Sequence, residues 1–155
     1  MDRELFQEYL SERIPITGTC GMAFAVVRSD EEQVAVRAPL SENLNDKHTA
    51  FGGSIASLLT VAAWGMAFGI TAEAEATPYV AIQRCEIEYL LPIAADFEAV
   101  ARRPAEETVT RFLEMYRRFG KSRIEVESTV VIEGNLAARF VGSFAALREG
   151  PRQGT

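Results

Sequence analysis

Gly52 and Gly53 follow a polar loop, Ser41 to Thr49, and open a run with no Asp, Glu, Lys or Arg between Lys47 and Glu73. A helix start leaves backbone N–H groups free and carries the positive end of the helix dipole. Glycines there let a ligand come close to the backbone. Such donors suit an oxygen that gains negative charge during a reaction. The same glycines also serve plain tight helix–strand packing, the competing reading. The loop holds the chain's only histidine, His48, with Asp46 two residues before it. That pair suits activation of water, or capping of the next turn. Beyond the glycines, Ser54, Ser57 and Thr60 form a drifting polar stripe on an apolar helix. Back-bonding to the preceding turn, or a seam of small residues, is the alternative for Ser57 and Thr60.

The flanking pattern says what positions this stretch. Asp2 to Arg13 reads as an amphipathic helix with Leu5, Phe6, Tyr9 and Leu10 on one face, stopped by Pro15. Cys20 to Arg28 and Gln33 to Ala38 make a hairpin across Ser29–Glu32. The central helix runs from Gly52 to about Ala72. A long strand from Tyr79 to Leu91 closes on Pro92, with Val80, Ile82, Cys85, Ile87 and Tyr89 on alternating or bulged faces. Phe97 to Arg103 is a strand, and Pro104-Ala105-Glu106-Glu107 opens a helix to about Arg117. The strands Arg123–Glu133 and Ala137–Leu147 are joined by a Gly134-Asn135 turn. One long helix against an antiparallel sheet that curls around it is an α+β architecture. Residues 1–148 make one domain, and 149–155 read as a frayed, flexible tail.

The central helix is long enough for a membrane span, but Gly, Ala, Ser and Thr dilute it and no Lys/Arg flanks set an orientation. A buried helix of a soluble domain is the reading favoured. No signal peptide is evident, and Cys20 and Cys85 lack metal-like spacing, so free thiols in a reducing cytoplasm are expected. The net charge of −6 argues against nucleic-acid binding. Arg102, Arg103, Arg111, Arg117, Arg118, Lys121 and Arg123 nevertheless concentrate in one stretch against Glu106, Glu107 and Glu114. This suggests an anionic partner, or a solvated face of helix ion pairs. Without a metal cluster or nucleotide motif, no cofactor is expected.

The order of elements resembles the hotdog fold of thioesterases and dehydratases. The residues that carry the likeness are Asn45-Asp46-Lys47-His48-Thr49-Ala50-Phe51-Gly52-Gly53-Ser54, with Thr60 and Trp64. Phe51 stands where many members have the His of a His-Gly-Gly helix start. Over roughly residues 4–148 the chain is similar to the thioesterase-like family typified by the YiiD C-terminal domain, which includes malonyl-acyl carrier protein decarboxylases.

The resemblance implies a homodimer with its two sheets joined edge to edge, sites at the subunit interface, and a substrate on a pantetheine thioester of coenzyme A or acyl carrier protein. Related thioesterases place an Asp or Glu nine residues after that His. The ninth residue after Phe51 is Thr60, a poor base, so simple hydrolysis lacks its usual carboxylate. Decarboxylation of a malonyl thioester needs none: it needs a stabilised enolate oxygen and an apolar pocket. On this reading Asn45 and Thr60 are central. Asn45 and the Gly53 N–H face the oxygen, while Thr60 holds Asn45 or touches substrate. Phe51, Gly52, Ser54 and His48 surround the thioester. Arg102, Arg103, Arg117, Arg118 and Lys121 receive the acidic carrier, or coenzyme A phosphates. The alternatives are a thioester hydrolase using Asn45 with His48 or Asp46, and a non-catalytic acyl-binding module.

Overall fold

The computed structural model describes residues 2–18 and 22–148. Asp2 caps α1 (Arg3–Arg13), its carboxylate accepting from the Glu4 N–H at 2.8 Å. The helix buries Phe6 and Leu10, while Leu5, expected on the same face, is 61% exposed. A 3-10 turn over Pro15–Thr17 follows. The hairpin is β1 (Ala25–Ser29) and β2 (Gln33–Ala38). Asp30 shapes its turn by accepting from the N–H groups of Glu32 and Gln33, each at 2.9 Å. β1 therefore begins later than the expected Cys20, which lies outside the described residues, as does the tail 149–155.

The remaining elements are α2 (Gly52–Ala72), β3 (Tyr79–Tyr89), β4 (Phe97–Arg102), α3 (Glu106–Phe119), β5 (Lys121–Ile132) and β6 (Asn135–Leu147). Six antiparallel strands form one sheet in the order β1-β2-β4-β5-β6-β3. Alternate residues of the inner strands, among them Val126 and Val130 on β5 and Phe140 and Phe144 on β6, are buried in one cluster with Leu58, Leu59, Ala62 and Met66 of α2. Period-2 strands supply one apolar face, and α2 is apolar all round because the sheet curls about it. Ser128 fastens sheet to helix by donating to the Leu59 carbonyl at 2.8 Å. By length and composition α2 is apolar enough to cross a membrane, but here it is the core helix.

Other boundaries also differ from the sequence reading: β4 ends at Arg102 rather than Arg103, and β5 runs Lys121–Ile132 rather than Arg123–Glu133. The final turn is Glu133-Gly134, both at positive φ (50° and 80°), so Asn135 already belongs to β6. β3 ends at Tyr89, short of Leu91. α3 continues past Arg117 to Phe119, where Gly120 at φ 67° ends it by donating to the Tyr116 carbonyl at 2.8 Å.

Two edges explain the outer elements. β4 pairs with β5 only over Ala99–Ala101, and its end leaves Lys121–Glu127 of β5 bonded to β6 alone. The fourteen residues of α3, about 21 Å at helical rise, match those seven strand residues at about 23 Å. α3 thus takes the place β4 vacates and covers the edge with Val109, Phe112, Leu113 and Tyr116 buried. The far edge, β3, has no cover among the described residues. It bonds only to β6, is bulged between Ile82 and Arg84, and exposes Tyr79, Ile82 and Tyr89.

Candidate active site at the start of the central helix

The polar loop is built on Asn45. Its Oδ1 accepts from the N–H groups of Lys47 (2.8 Å) and Thr49 (3.1 Å). Its Nδ2 donates to Thr49 Oγ1 (2.9 Å) and to the Ala50 carbonyl (3.3 Å). A bridge between Leu44 and Ala50 closes the loop's neck. His48 sits in the left-handed region at φ 59°, its N–H donating to the Asn45 carbonyl at 3.2 Å, and its side chain is exposed. That is the turn-forming role weighed against water activation; Asp46 is exposed beside it.

Asn43, in the same polar loop, ties that loop to its surroundings. It is 2% exposed, donates from Nδ2 to the carbonyls of Met22 (2.9 Å) and Pro39 (2.7 Å), and accepts the Phe51 N–H on its own carbonyl at 2.7 Å. It therefore fixes where α2 begins.

Phe51 occupies the N-cap position without a side-chain cap, and α2's first closed turn is the Ile55 N–H donating to the Phe51 carbonyl at 3.1 Å. Among the described residues nothing accepts from the N–H groups of Gly52, Gly53 or Ser54. These are the free donors that the helix start promised. The Phe51 ring folds over Gly53 so closely that a Cβ there would sit well inside van der Waals contact with it. A side chain at position 53 would have to push that ring aside, and the ring is itself 54% exposed. Ser54 is buried. Beside Gly52 lies a depression of about 270 Å³ lined by Ala50, Gly52, Ile55, Tyr89, Leu90, Leu91, Pro92 and Ile93. Its only ionisable group is the phenol of Tyr89, which donates to the Gly52 carbonyl at 3.2 Å. Tyr89 was not singled out as a site residue; its place at the end of the inward-facing β3 alternation was the available signal.

Of the two roles expected for Thr60, holding Asn45 is not seen within one chain. The Thr60 hydroxyl donates to the Ala56 carbonyl at 2.8 Å, and among the described residues it makes no bond to Asn45. Seven residues separate it from Gly53, about 10 Å along the helix. Gly53, Ala56, Ser57 and Thr60 nevertheless form one half-buried stripe. It shares the side of α2 that carries Gly52 and Trp64, the two residues fastened to β3. Trp64 Nε1 donates to the Val80 carbonyl at 2.9 Å, and its ring packs on Tyr9 and Phe68. The stripe thus faces the open sheet edge.

The basic residues lie at the other end. Arg103 donates to Glu73, the C-cap of α2, at 2.6 and 3.3 Å, with Glu106 at 3.8 Å. With its side chain 16% exposed and its pKa raised by the Glu73 bond, Arg103 is a clamp between α2 and β4 already supplied with anions. Arg102, Arg117, Arg118 and Lys121 are exposed nearby. The 21 residues of α2 set this end about 30 Å from Gly52. One chain therefore does not bring the basic residues to its own helix start.

A long core helix wrapped by an antiparallel sheet, with a glycine start open beside a strand edge, is the hotdog fold of the thioesterase-like proteins. The chain belongs to the family described as "Putative thioesterase (yiiD_Cterm)", which matches residues 3–148. It is similar to a protein of unknown function from Chlorobaculum tepidum, at 27% identity and TM-score 0.86 over 95% of this chain and 94% of that one. A Shewanella oneidensis protein described as a "putative thioesterase" superposes at TM-score 0.77 with 23% identity, over 94% and 96% of the two chains. A Pseudomonas aeruginosa "probable thioesterase" does so at 0.80 with 17% identity, over 95% and 96%. The last two likenesses speak to the fold.

Proposed function

We propose that this chain is a cytoplasmic enzyme that decarboxylates a malonyl thioester held on acyl carrier protein, giving the acetyl thioester, a primer for fatty acid synthesis. The observation that carries the reading is the helix start: three N–H donors without partners among the described residues, beside a depression with no carboxylate, lysine, arginine or histidine in its lining. The bond from the α-carbon to the malonyl carboxylate breaks, and its electron pair becomes an enolate with charge on the thioester oxygen. CO2 leaves, and the α-carbon then takes a proton. N–H groups of Gly52 and Gly53, with the Asn45 amide, stabilise that oxygen. Apolar walls favour neutral CO2 over the carboxylate.

The family's description favours a second reading, hydrolysis of an acyl thioester, for which water would need a base. Asp46 and His48 are the nearest candidates in sequence. The experiment is incubation with malonyl-acyl carrier protein and with malonyl-coenzyme A, reading the carrier by mass spectrometry beside a free-thiol assay. Loss of CO2 with the thioester intact supports decarboxylation. Free thiol without acetyl product sinks it in favour of hydrolysis. Neither product leaves an acyl-binding module.

The working unit of this proposal is a dimer joined through β3. The strand has unpaired backbone groups along one edge, and Tyr79, Ile82, Tyr89, Leu90 and Leu91 stand exposed on or just after it. An uncovered edge of eleven residues is a pairing surface. Antiparallel pairing of two copies would bring the basic end of one protomer level, along the strand direction, with the helix start of the other. Ile87→Lys, on the half-buried inward face of β3, is expected to shift the species in analytical ultracentrifugation from dimer to monomer. A variant that stays dimeric would place the interface elsewhere.

A further inference from the structure

The outward face of α3 does not follow from its role as an edge cover. Val109, Phe112, Leu113 and Tyr116 already form its buried face. Yet Met115 and Phe119, one turn apart, are 45% and 52% exposed. Arg111 precedes Met115 by one turn, and the Arg118 guanidinium lies over the Phe119 ring at 5.0 Å. Across a groove of about 680 Å³ between α3 and β5, Arg123 faces the same stripe, with Glu107 and Glu125 the acidic residues of the lining. Among the described residues Arg111, Arg118 and Arg123 make no ion pair, whereas Arg103, Arg139 and Arg37 all do. An acidic chain of net charge −6 thus keeps three unneutralised guanidinium groups around two exposed apolar side chains.

We propose that this face of α3 is a docking surface for an acidic carrier protein, with Met115 and Phe119 as apolar anchors inside a ring formed by Arg111, Arg118 and Arg123. Resting on the carrier-thioester reading above, it names where the carrier sits and which site it serves. Charge complementarity selects the partner: a negative helical surface with a few apolar residues matches both elements of the patch. Topology selects the site. With β3 strands paired, the partner's sheet continues β3-β6-β5 from the seam, so its β5 lies three strand spacings from this β3, about 14 Å. Antiparallel pairing also aligns the α3 end of one protomer with the α2 start of the other. Arg123 and Glu125 alternate with the buried Ile124 and Val126, so the groove lies on the sheet face opposite α2, and the arm would reach the partner's helix start around the seam.

The test compares turnover of malonyl-acyl carrier protein with that of malonyl-pantetheine in Arg111→Glu/Arg123→Glu and in Met115→Ser/Phe119→Ser. The ratio of carrier to pantetheine kcat/KM should fall at least about tenfold in each, through KM. Arg111→Lys/Arg123→Lys, which keeps the charge, should restore most of it, and thermal melts report whether each variant folds. Binding of unacylated carrier, read by fluorescence anisotropy, supplies a readout free of catalysis. Loss of that binding in a protein that turns over no thioester would support the docking face while the decarboxylation reading fails. Unchanged ratio and unchanged binding overturn the docking face whatever the reaction. An equal loss of malonyl-coenzyme A turnover overturns it too, assigning the guanidinium groups to nucleotide phosphates.

Discussion

Asn45→Ala is expected to lower malonyl-thioester turnover by roughly 10²–10³-fold, the usual cost of losing one oxyanion donor. The structure adds a complication that makes a second variant necessary. All four hydrogen bonds of the Asn45 side chain are internal to residues 45–50, so the alanine variant also loosens the loop that leads into α2. The loop is half-exposed and water replaces part of what is lost, which limits the stability cost to about 1–2 kcal/mol. Asn45→Asp separates the loop from the chemistry: it removes the donor and sets a negative charge beside the forming enolate, and both oppose turnover. Its carboxylate keeps the acceptor for the Lys47 and Thr49 N–H groups and still meets the Thr49 hydroxyl, but it cannot donate. Of the two Nδ2 bonds, the 3.3 Å one to the Ala50 carbonyl is the weaker and is the one a substrate oxygen would replace. Asn45→Asp should therefore melt near the parent temperature and turn over as poorly as Asn45→Ala. An aspartate variant with parental turnover would reduce Asn45 to a loop-builder and leave the oxygen to the backbone donors alone.

What could be read from the chain follows the range of the interactions involved. The bounds of α2, Gly52 and Ala72, were legible because an uncharged run between a polar loop and Glu73 admits few alternatives. Strand order was not, since β3 lies beside β6 through contacts that no local pattern encodes. Phe51, Gly52 and Gly53 were legible as a helix start because their chemistry is that of consecutive backbone groups. The Asn45–Thr60 partnership was inferred from resemblance. Within one chain the Asn45 amide is spent on Thr49 and Ala50, and the Thr60 hydroxyl on Ala56, because the shortest available partner in each case is local. Arg103 illustrates the converse. In sequence it is one of a basic group; in the fold, Glu73 thirty residues away claims it.

Thr60→Asp should change the product rather than merely the rate. Thr60 is the ninth residue after Phe51, half-buried on the stripe of α2 that faces the open β3 edge. Replacement removes the bond to the Ala56 carbonyl and costs little helix propensity, a few tenths of a kcal/mol. The side chains are similar in size, so the fold should survive. The new carboxylate opposes decarboxylation twice, by repelling the malonyl carboxylate and by placing negative charge near the forming enolate. It also supplies the base or nucleophile that hydrolysis of a thioester needs and that α2 otherwise lacks before its end. The expected result is free thiol from acyl thioesters and a steep loss of acetyl product from malonyl substrate, read by the same mass spectrometry and thiol assay. Thr60→Val is the companion: it keeps the branched shape and removes only the hydroxyl, so a sharp fall in turnover there would mean that the hydroxyl itself contacts the reacting group or its carrier arm. If Thr60→Asp still makes acetyl thioester at the parental rate, position 60 is remote from the chemistry even in the assembled protein. The missing carboxylate would then no longer distinguish decarboxylation from hydrolysis.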